Sequence, residues 1–436
     1  MLAAGGTVLA RLLYSLLLYL LLPAVLLRLC WRARRAPDYA RRWGERFGWV
    51  APLSGPVIWV HAVSVGETLA AAPLIRHLLA RHPRATLLVT TTTPTGSAQV
   101  RALFGTSVAH CYAPYDFPDA VARFLRRVRP TLLVVMETEL WPNLLRACVA
   151  RGIPVVLANA RLSARSARGY RRVRWLTARM LRALTAVAAQ TPPDGERFLA
   201  LGLAPAKLQI TGNLKFDLEL TPALRAQAAA LQRSWAGPRN RPVWLAASTH
   251  AGEDALVLAA HAGILRALPE ALLVLVPRHP ERFATVAAAS RRAGFRTMQR
   301  SDTRISPDDP IPADRQVLLG DTMGELPVFC GAADVVFVGG SLVPVGGHNL
   351  IEPAAWGRPV LAGPHLFNFA EAAALLEAEG ALRICGDGAA LASAVIELLT
   401  EPDYREQVGA RARAVAEANR GALARLTLVI EPLCPP

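Results

Sequence analysis

The sequence predicts an α/β protein of two doubly wound parallel-sheet domains facing a cleft, preceded by an N-terminal membrane anchor helix. Short continuous apolar runs alternate with helical patterns along most of the 436 residues. This alternation is typical of parallel strands that are covered by helices on both faces. A polar stretch at residues 221–242 interrupts the alternation, and an almost uncharged segment opens the chain.

The first 27 residues carry a single charge, that of Arg11. Residues 12–27 would rise about 24 Å as a helix, a little less than the hydrocarbon core of a bilayer, and a start near Thr7 would allow a span. A cleaved signal peptide is disfavoured because no basic region precedes the apolar run. The arginines that follow it favour a cytoplasmic location for the rest of the chain. They are Arg28, Arg32, Arg34, Arg35, Arg41, Arg42 and Arg46.

The formal net charge is +16, and every cationic side chain except Lys207 and Lys215 is an arginine. Such an excess predicts an anionic partner, either anionic lipid or a phosphorylated substrate. Nucleic acid is disfavoured because no basic stripe is interleaved with aromatic residues. The six cysteines show no C-x-x-C spacing, which predicts reduced and mostly buried thiols without a disulfide framework.

We predict an anchor with its basic flank over residues 1–35, an N-terminal domain over 36–220, a linker over 221–242 and a C-terminal domain over 243–436. A long helix from Asp403 to about Leu426 could return to the first domain. In such sheets ligands bind at the carboxyl ends of the strands. The predicted strands cover residues 56–63, 86–92, 131–136, 154–158, 243–247, 272–276, 317–319, 335–338 and 359–362.

One strand-to-helix connection is rich in glycine. The strand at 335–338 runs into Gly339-Gly340-Ser341, and Gly346-Gly347 precede His348 and Asn349. Free backbone N–H groups and a helix N-terminus would suit a phosphate there. Glu352, in the predicted first turn, could accept hydrogen bonds from sugar hydroxyls. An ordinary turn with a capping glutamate is the alternative.

Carboxylates follow two strands of the first predicted domain. Glu67 opens a helix directly after Gly66, where its charged form would be stabilised as suits a general base, although it could equally be a helix-start acid. Glu137 and Glu139 are two apart on an extended chain and therefore point the same way. Both could face a cleft, or one could pair with an arginine. Lys215 is one of only two lysines, which favours a specific role.

In the second predicted domain Arg278 and His279 follow a buried strand. Arg278 could therefore bind a phosphate through two parallel hydrogen bonds, or it could lie in a solvated turn. The turn at residues 321–325 could hold a base or a phosphate. His250, His348 and His365 lie near strand ends, where single histidines are more often structural than catalytic. Neither D-x-D nor H-E-x-x-H occurs, which argues against an essential divalent cation.

Many ordered segments resemble the 3-deoxy-D-manno-octulosonic acid (Kdo) transferases of Gram-negative bacteria. The resemblance covers nearly the whole chain and departs from the expected pattern at Pro353, which follows Glu352 rather than preceding it. The matching segments are RRWGERFG, HAVSVGETLAA, TTTPTGS, YDFPDA, METELWPN, NARLSARSA, TGNLKFD, STHAGE, VPRHPERF, GDTMGEL, FVGGSLV, GGHN and GPHLFNF.

This resemblance implies a GT-B fold and metal-independent, inverting transfer of Kdo from CMP-Kdo to an anionic lipid A precursor. It places the reaction at the cytoplasmic face of the inner membrane and requires no cofactor. Glu67 would deprotonate the acceptor hydroxyl, and Glu137 and Lys215 would stabilise the transition state. The resemblance assigns the CMP pocket to Pro277, Arg278, Met323, Gly324, Glu325, Asn349, Leu350, Ile351 and Glu352.

Two other functions are compatible with the same architecture. One is a transferase that uses a UDP-sugar and a lipid acceptor, which nucleotide binding would distinguish. The other is a non-catalytic, membrane-associated sugar-nucleotide binder, for which Glu67→Ala would leave the role intact.

Overall fold

The computed structural model describes residues 2–35, 37–302 and 310–435, and the side chains of residues 2–11 and 35, including Arg11 and Arg35, lie outside this description. The chain forms two compact units. Unit 1 comprises Met1–Asp217 and Arg420–Pro436, and unit 2 comprises Leu218–Asn419. Each unit contains one seven-stranded sheet in which every paired strand is parallel.

Each sheet is doubly wound, because its first strand lies inside the sheet and later strands add on both sides. The strand order is β3-β2-β1-β4-β5-β6-β7 in unit 1 and β10-β11-β9-β8-β12-β13-β14 in unit 2. The strands are β1 Val57–His61, β2 Thr86–Thr91, β3 Ala109–Tyr112, β4 Pro130–Met136, β5 Val155–Ala160, β6 Ala186–Ala189, β7 Leu208–Ile210, β8 Val243–Thr249, β9 Leu272–Pro277, β10 Thr297–Gln299, β11 Val317–Leu319, β12 Val335–Val338, β13 Val360–Ala362 and β14 Leu382–Ile384.

Helices connect the strands, and one long helix precedes the first sheet. They are α1 Leu2–Arg35, α2 Trp43–Arg46, α3 Val65–Arg81, α4 Pro94–Phe104, α5 Pro118–Val128, α6 Pro142–Val149, α7 Ala164–Arg172, α8 Arg174–Ala183, α9 Pro192–Ala200, α10 Pro222–Ala236, α11 Asp254–Ala267, α12 Phe283–Arg292, α13 Leu326–Ala332, α14 Ile351–Ala355, α15 Ala370–Ala378, α16 Gly388–Thr400, α17 Pro402–Ala418 and α18 Ala422–Ile430.

The strands are apolar along their whole length because both faces of each sheet are covered. In β1, Val57 and Trp59 belong to the apolar cluster on one face, and Ile58 and Val60 belong to the cluster on the other. Successive side chains of a strand point to opposite faces, so a strand between two helical layers needs an apolar residue at every position. The predicted doubly wound α/β class is confirmed.

All predicted strands are present, with ends that differ by at most two residues. The expected helix from Asp403 to about Leu426 is two helices, α17 and α18, because Gly421 between them has a φ of 90°. The segment at 221–242 was expected to be a linker and instead contains α10, which packs on α13 within unit 2. Five further strands were not predicted: β3, β6, β7, β10 and β14.

The carboxyl ends of the strands position the candidate site residues. In unit 1 the strand order reverses between β1 and β4, and in unit 2 it reverses between β8 and β12. Crevices form at such switch points because the connections leave the sheet in opposite directions there. A ligand site is therefore expected at the residues that directly follow β1, β4, β8 and β12.

The described cysteines are free thiols, and Cys111, Cys148, Cys330 and Cys385 are buried, as predicted. Within α1, residues 12–34 are long and apolar enough to cross a membrane. This length and composition support membrane association.

Candidate active site

Glu67 lies in the first turn of α3, directly after β1. Its backbone N–H bonds to the Ser64 hydroxyl, which caps the helix. One carboxylate oxygen accepts a hydrogen bond from the Ser64 hydroxyl at 3.0 Å, and the other accepts one from the Val63 N–H at 2.9 Å. The side chain is thus fixed by a reciprocal capping arrangement. Only 7% of Glu67 is exposed to solvent.

Burial raises the pKa of Glu67 to about 8, and the nearby negative charges of Glu137 and Glu139 act in the same direction. The hydrogen bonds from Val63 and Ser64 oppose this effect because they stabilise the charged form. A carboxylate with a pKa near neutrality holds a proton more strongly than an ordinary glutamate. Its ionised form is therefore a stronger base than an ordinary glutamate, and the fraction in that form grows as the pH rises towards 8.

Glu137 and Lys215 form an ion pair beside Glu67. Glu137 directly follows β4, and its Oε1 lies 3.6 Å from Lys215 Nζ. Glu137 has a φ of 54°, a left-handed conformation that is uncommon for a residue with a side chain and that occurs often at functional sites. The three residues predicted to be catalytic, Glu67, Glu137 and Lys215, therefore lie together at the switch point of unit 1.

Glu139 hydrogen-bonds to a tryptophan, whereas the sequence analysis considered an arginine as its partner. Its Oε2 accepts a hydrogen bond from the indole N–H of Trp141 at 3.0 Å. Burial raises the pKa of Glu139, although the Trp141 hydrogen bond opposes the rise. The alternative that Glu137 pairs with an arginine is therefore wrong, because its partner among the described residues is Lys215.

Two asparagines hold the turn that carries Lys215, and the sequence analysis did not single them out. The side-chain oxygen of Asn159 accepts from the Leu214 N–H at 3.0 Å, and that of Asn213 accepts from the Lys215 N–H at 3.1 Å. Asn159 lies near the end of β5, is fully buried and has a φ of 51°. These contacts fix the position of Lys215. The sequence signal that could have identified Asn159 is its place near a strand end, as the first residue of the motif NARLSARSA.

In unit 2, Arg278, Asn349 and Glu352 are close to one another. Asn349 accepts a hydrogen bond from the Ile351 N–H and donates one to Glu352 at 3.1 Å. Burial raises the pKa of Glu352, and the Asn349 hydrogen bond and the Arg278 charge oppose that rise. Arg278 directly follows the buried Pro277 at the end of β9. A cation, an amide and a carboxylate thus lie near one another at the carboxyl edge of this sheet, and the neighbouring Leu350 and Ile351 are buried.

The glycine turn after β12 already holds an anion from the protein itself. The carboxylate of Glu253, which is fully buried, accepts hydrogen bonds from the N–H groups of Gly340, Ser341 and Leu342 at 2.7, 3.1 and 2.9 Å. It also accepts one from the His250 N–H at 3.1 Å. The prediction that these amides face a phosphate is therefore wrong, because Glu253 takes the place of the expected anion. The close backbone approach at Gly339 fits this role, since an added Cβ there would lie 2.8 Å from Glu253 Oε2.

The turn at Met323-Gly324-Glu325 follows β11, which is the neighbour of β9 in the sheet. Gly324 has a φ of 85°, and the Met323 side chain is mostly exposed. The Glu325 carboxylate accepts from Arg300 at 2.7 Å and also from the Thr322 hydroxyl. Its hydrogen bonds to Arg300 and Thr322 fix the conformation of this turn.

His250 and His348 are a stacked pair rather than single histidines. Their Nε2 atoms are 2.8 Å apart, so one ring donates a proton and the other accepts it. Burial lowers the pKa of His348 to about 3, with Arg278, His250 and His279 acting in the same direction. Burial likewise lowers the pKa of His250. Both rings are therefore neutral at physiological pH.

One group of potential metal ligands occurs among the described residues, comprising His82, Glu431 and Cys434. Glu431 accepts hydrogen bonds from His77 at 2.8 Å and His82 at 3.0 Å, which ties the C-terminal segment to α3. His82 follows the last residue of α3, roughly 22 Å along the helix from Glu67. The sequence analysis missed this group because its members are far apart in the chain.

Comparison with known proteins agrees with the resemblance. A family model described as 3-deoxy-D-manno-octulosonic-acid transferase (kdotransferase) matches residues 41–218. A 3-deoxy-D-manno-octulosonic acid transferase of Haemophilus influenzae is 43% identical over 97% of this chain and 98% of its own length. A protein of the same name from Bordetella pertussis is 42% identical over 96% of this chain and 98% of its own.

A solved structure of UDP-GlcNAc 2-epimerase from Neisseria meningitidis, bound to UDP-GlcNAc, shares the fold. It superimposes with a TM-score of 0.57 at 18% identity and covers 86% of this chain and 100% of its own. Together, two doubly wound units and the relatives define a glycosyltransferase of the GT-B class. The extent and identity of the matches then show the family. The chain belongs to the 3-deoxy-D-manno-octulosonic acid transferases, the Kdo transferases of lipopolysaccharide biosynthesis.

Proposed function

We propose that this chain transfers Kdo from CMP-Kdo to a hydroxyl of the glucosamine disaccharide of a lipid A precursor, with inversion and without a metal ion. Unit 1 binds the acceptor and unit 2 binds the nucleotide sugar. The observation that carries the proposal is the buried Glu67 beside the Glu137–Lys215 pair at the switch point of unit 1. Family membership supplies the transferred sugar, and the chemistry of the site supplies the mechanism.

The transfer is a single displacement. The acceptor hydroxyl oxygen attacks the anomeric carbon of Kdo, and its proton passes to the Glu67 carboxylate. The bond between that carbon and the phosphate oxygen breaks, and its electron pair leaves with CMP. Attack on the face opposite the leaving group inverts the configuration.

The Glu137–Lys215 pair acts on the charge that develops during this step. The sugar gains oxocarbenium character while the departing phosphate gains negative charge. Glu137 stabilises the positive charge at the sugar, and Lys215 stabilises negative charge on the donor. Groups already held in place by the fold need no reorganisation at the moment of reaction, which is why they lower the barrier. Asn159 and Asn213 provide that fixation for Lys215.

Unit 2 holds the CMP moiety through the residues at its carboxyl edge. Arg278 pairs with the phosphate, and Glu352, oriented by Asn349, accepts hydrogen bonds from the ribose hydroxyls. Pro277, Leu350, Ile351 and the turn at 323–325 complete the pocket. Fixed cations thus take the role that a divalent ion plays in other transferases.

The apolar helix α1 and the arginines that follow it support action at the cytoplasmic face of the inner membrane. The acceptor carries phosphates and acyl chains and therefore stays at the membrane surface. An anchored and strongly basic enzyme is concentrated where such an acceptor lies.

The rate is expected to rise with pH as Glu67 loses its proton, with a midpoint near pH 8. Glu137→Gln removes a negative neighbour that raises this pKa, so the rising limb of the kcat profile should move to lower pH. The exposed Glu196→Gln on α9 is the matched control and should leave the midpoint in place. A midpoint that is unchanged or higher in Glu137→Gln would contradict the assignment of the limb to Glu67.

Mass spectrometry of a lipid A precursor, incubated with the full chain and CMP-Kdo in detergent, tests the proposed function. Each added Kdo should increase the mass of the acceptor by one discrete step, and the same products should form when EDTA is present. A UDP-hexose in place of CMP-Kdo should give no product. Transfer from the UDP-sugar alone would establish the alternative transferase, and loss of transfer in EDTA would refute metal independence.

A further inference from the structure

Helix α1 contacts the rest of unit 1 through every polar side chain of its central segment, residues 12–27. Residues 12–27 contain three polar side chains, those of Tyr14, Ser15 and Tyr19. The Tyr14 hydroxyl donates to Asp116 at 3.1 Å, and the Tyr19 hydroxyl donates to Asp119 at 2.6 Å. Ser15 is buried and hydrogen-bonds with the Asn143 side chain. These partners belong to α5, α6 and the loop before α5.

An apolar stripe extends this contact along the helix. Leu18, Leu22, Leu26 and Leu29 continue from the buried Ser15 at intervals of three or four residues; Leu29 is buried and the other three leucines are half-buried. This spacing places them on one face of a helix. The Tyr19 ring also packs on Phe117, with the ring centres 5.1 Å apart. The contact therefore covers about 20 Å of helix, from Ser15 to Leu29.

The opposite face of α1 is apolar and uncovered. Leu20 and Leu27 are 69% and 70% exposed. The other exposed apolar side chains of this face are Leu12, Leu13, Leu16, Leu17, Leu21 and Trp31. A face of this size on a water-soluble surface requires a partner. Residues 12–27 of the helix contain no charged side chain, and the polar groups that they contact come from the rest of unit 1.

The surroundings of this face indicate what covers it. Arg28 and Arg34 are exposed near the end of α1 beside Trp31. Helix α8, which contacts α1, exposes Trp175. Four further arginines on α7 and at the start of α8 are also exposed: Arg168, Arg171, Arg172 and Arg174. Leucines bordered by tryptophan and arginine match the apolar interior, the interface and the anionic headgroups of one bilayer leaflet.

We propose that α1 does not cross the membrane but lies along it, docked on unit 1, with its leucine face in a single leaflet containing anionic lipid. Tyr14, Ser15 and Tyr19 hold it in this position.

A crossing helix would have to give up these contacts. With Arg28 to Arg34 at one membrane surface, Tyr14 would lie about 20–30 Å farther along the helix, near the opposite surface. Asp116, Asp119 and Asn143 are parts of the folded unit and cannot follow it into the hydrocarbon. Crossing would therefore leave two phenolic hydroxyls and one serine hydroxyl without their partners, and would expose the carboxylates that receive them.

The sidedness of the two chain ends tests this proposal. The full chain is expressed with different protease-cleavable tags at its N- and C-termini, and sealed membrane vesicles are prepared. Both tags should be cleaved together or protected together, whichever way the vesicles are oriented. Cleavage of one tag while the other stays protected until detergent is added would show that α1 crosses the bilayer and would overturn the proposal.

A triple variant tests the role of the polar contacts. Tyr14→Phe, Ser15→Ala and Tyr19→Phe in one chain should place the two tags on opposite sides in a substantial fraction of molecules. The matched control, Leu13→Ile, Leu17→Ile and Leu20→Ile on the exposed face, should behave as the wild type. A triple variant that keeps both tags on one side would show that these contacts do not hold the helix. Turnover with detergent-dispersed acceptor reports separately that each variant is folded.

Discussion

Glu67→Gln is expected to lower kcat by about 10²–10⁴-fold, the usual contribution of a positioned general base. Glutamine fills the same volume but cannot accept the proton of the acceptor hydroxyl. The fold should tolerate the change, because burial already favours the neutral form of this side chain. One side-chain oxygen also remains to accept from Val63 or Ser64. Steady-state kinetics with the lipid acceptor measures the effect.

Glu139→Gln is the matched control for this variant. It removes a neighbouring carboxylate of the same kind, which contacts Trp141 and raises the pKa of Glu67 without being the base. It should retain most of the turnover and move the rising limb of the pH profile to lower pH. If Glu67→Gln keeps turnover comparable to that of Glu139→Gln, Glu67 is not the base.

Glu253→Gln is expected to destabilise unit 2 by about 3 kcal/mol or more. The substituted amide nitrogen would face backbone N–H groups that now bind a carboxylate oxygen, and each buried group left unpaired costs about 1–3 kcal/mol. Four backbone N–H groups meet this carboxylate. For a unit of this size the loss corresponds to a fall in Tm of roughly 6–12 °C. Thermal unfolding followed by circular dichroism measures it.

Glu270→Gln controls for the loss of one negative charge in the same unit. Glu270 is exposed and pairs with Arg239 at the surface, a contact that contributes little to stability. The Tm of the Glu270→Gln variant should stay within about 2 °C of that of the wild type. An equally small change in Glu253→Gln would mean that Glu253 does not organise the glycine turn.

The sequence predicted the fold and much of the site, because both depend on local patterns. Apolar runs of strand length mark β1 and β4, and the acids that follow them, Glu67 and Glu137, are positioned by the ends of those strands. A parallel sheet brings the carboxyl ends of its strands to one edge, so the order of strands and acids along the chain is enough to place such residues together. Lys215 was found through its rarity among the arginines.

The features that sequence analysis missed depend on contacts between distant residues. Glu253 binds amides 87 to 89 positions later, and no local pattern marks a glutamate as the occupant of a glycine turn. Tyr14 and Asp116 are 102 positions apart, so hydropathy alone could not distinguish a crossing helix from a docked one. The break at Gly421 was overlooked because helical periodicity continues on both sides of it.

The proposal that unit 1 carries the general base and unit 2 binds the nucleotide is tested most directly by calorimetric titration. CMP is titrated into the wild type, Glu67→Gln and Arg278→Gln. Arg278→Gln should bind CMP about 10- to 100-fold more weakly, as expected for loss of a charged hydrogen bond to phosphate. Arg239→Gln, which removes a surface arginine from the same unit, should bind as the wild type. Glu67→Gln should also keep wild-type affinity. Weakened binding in Glu67→Gln with unchanged binding in Arg278→Gln would contradict the assignment of base and nucleotide to these two units.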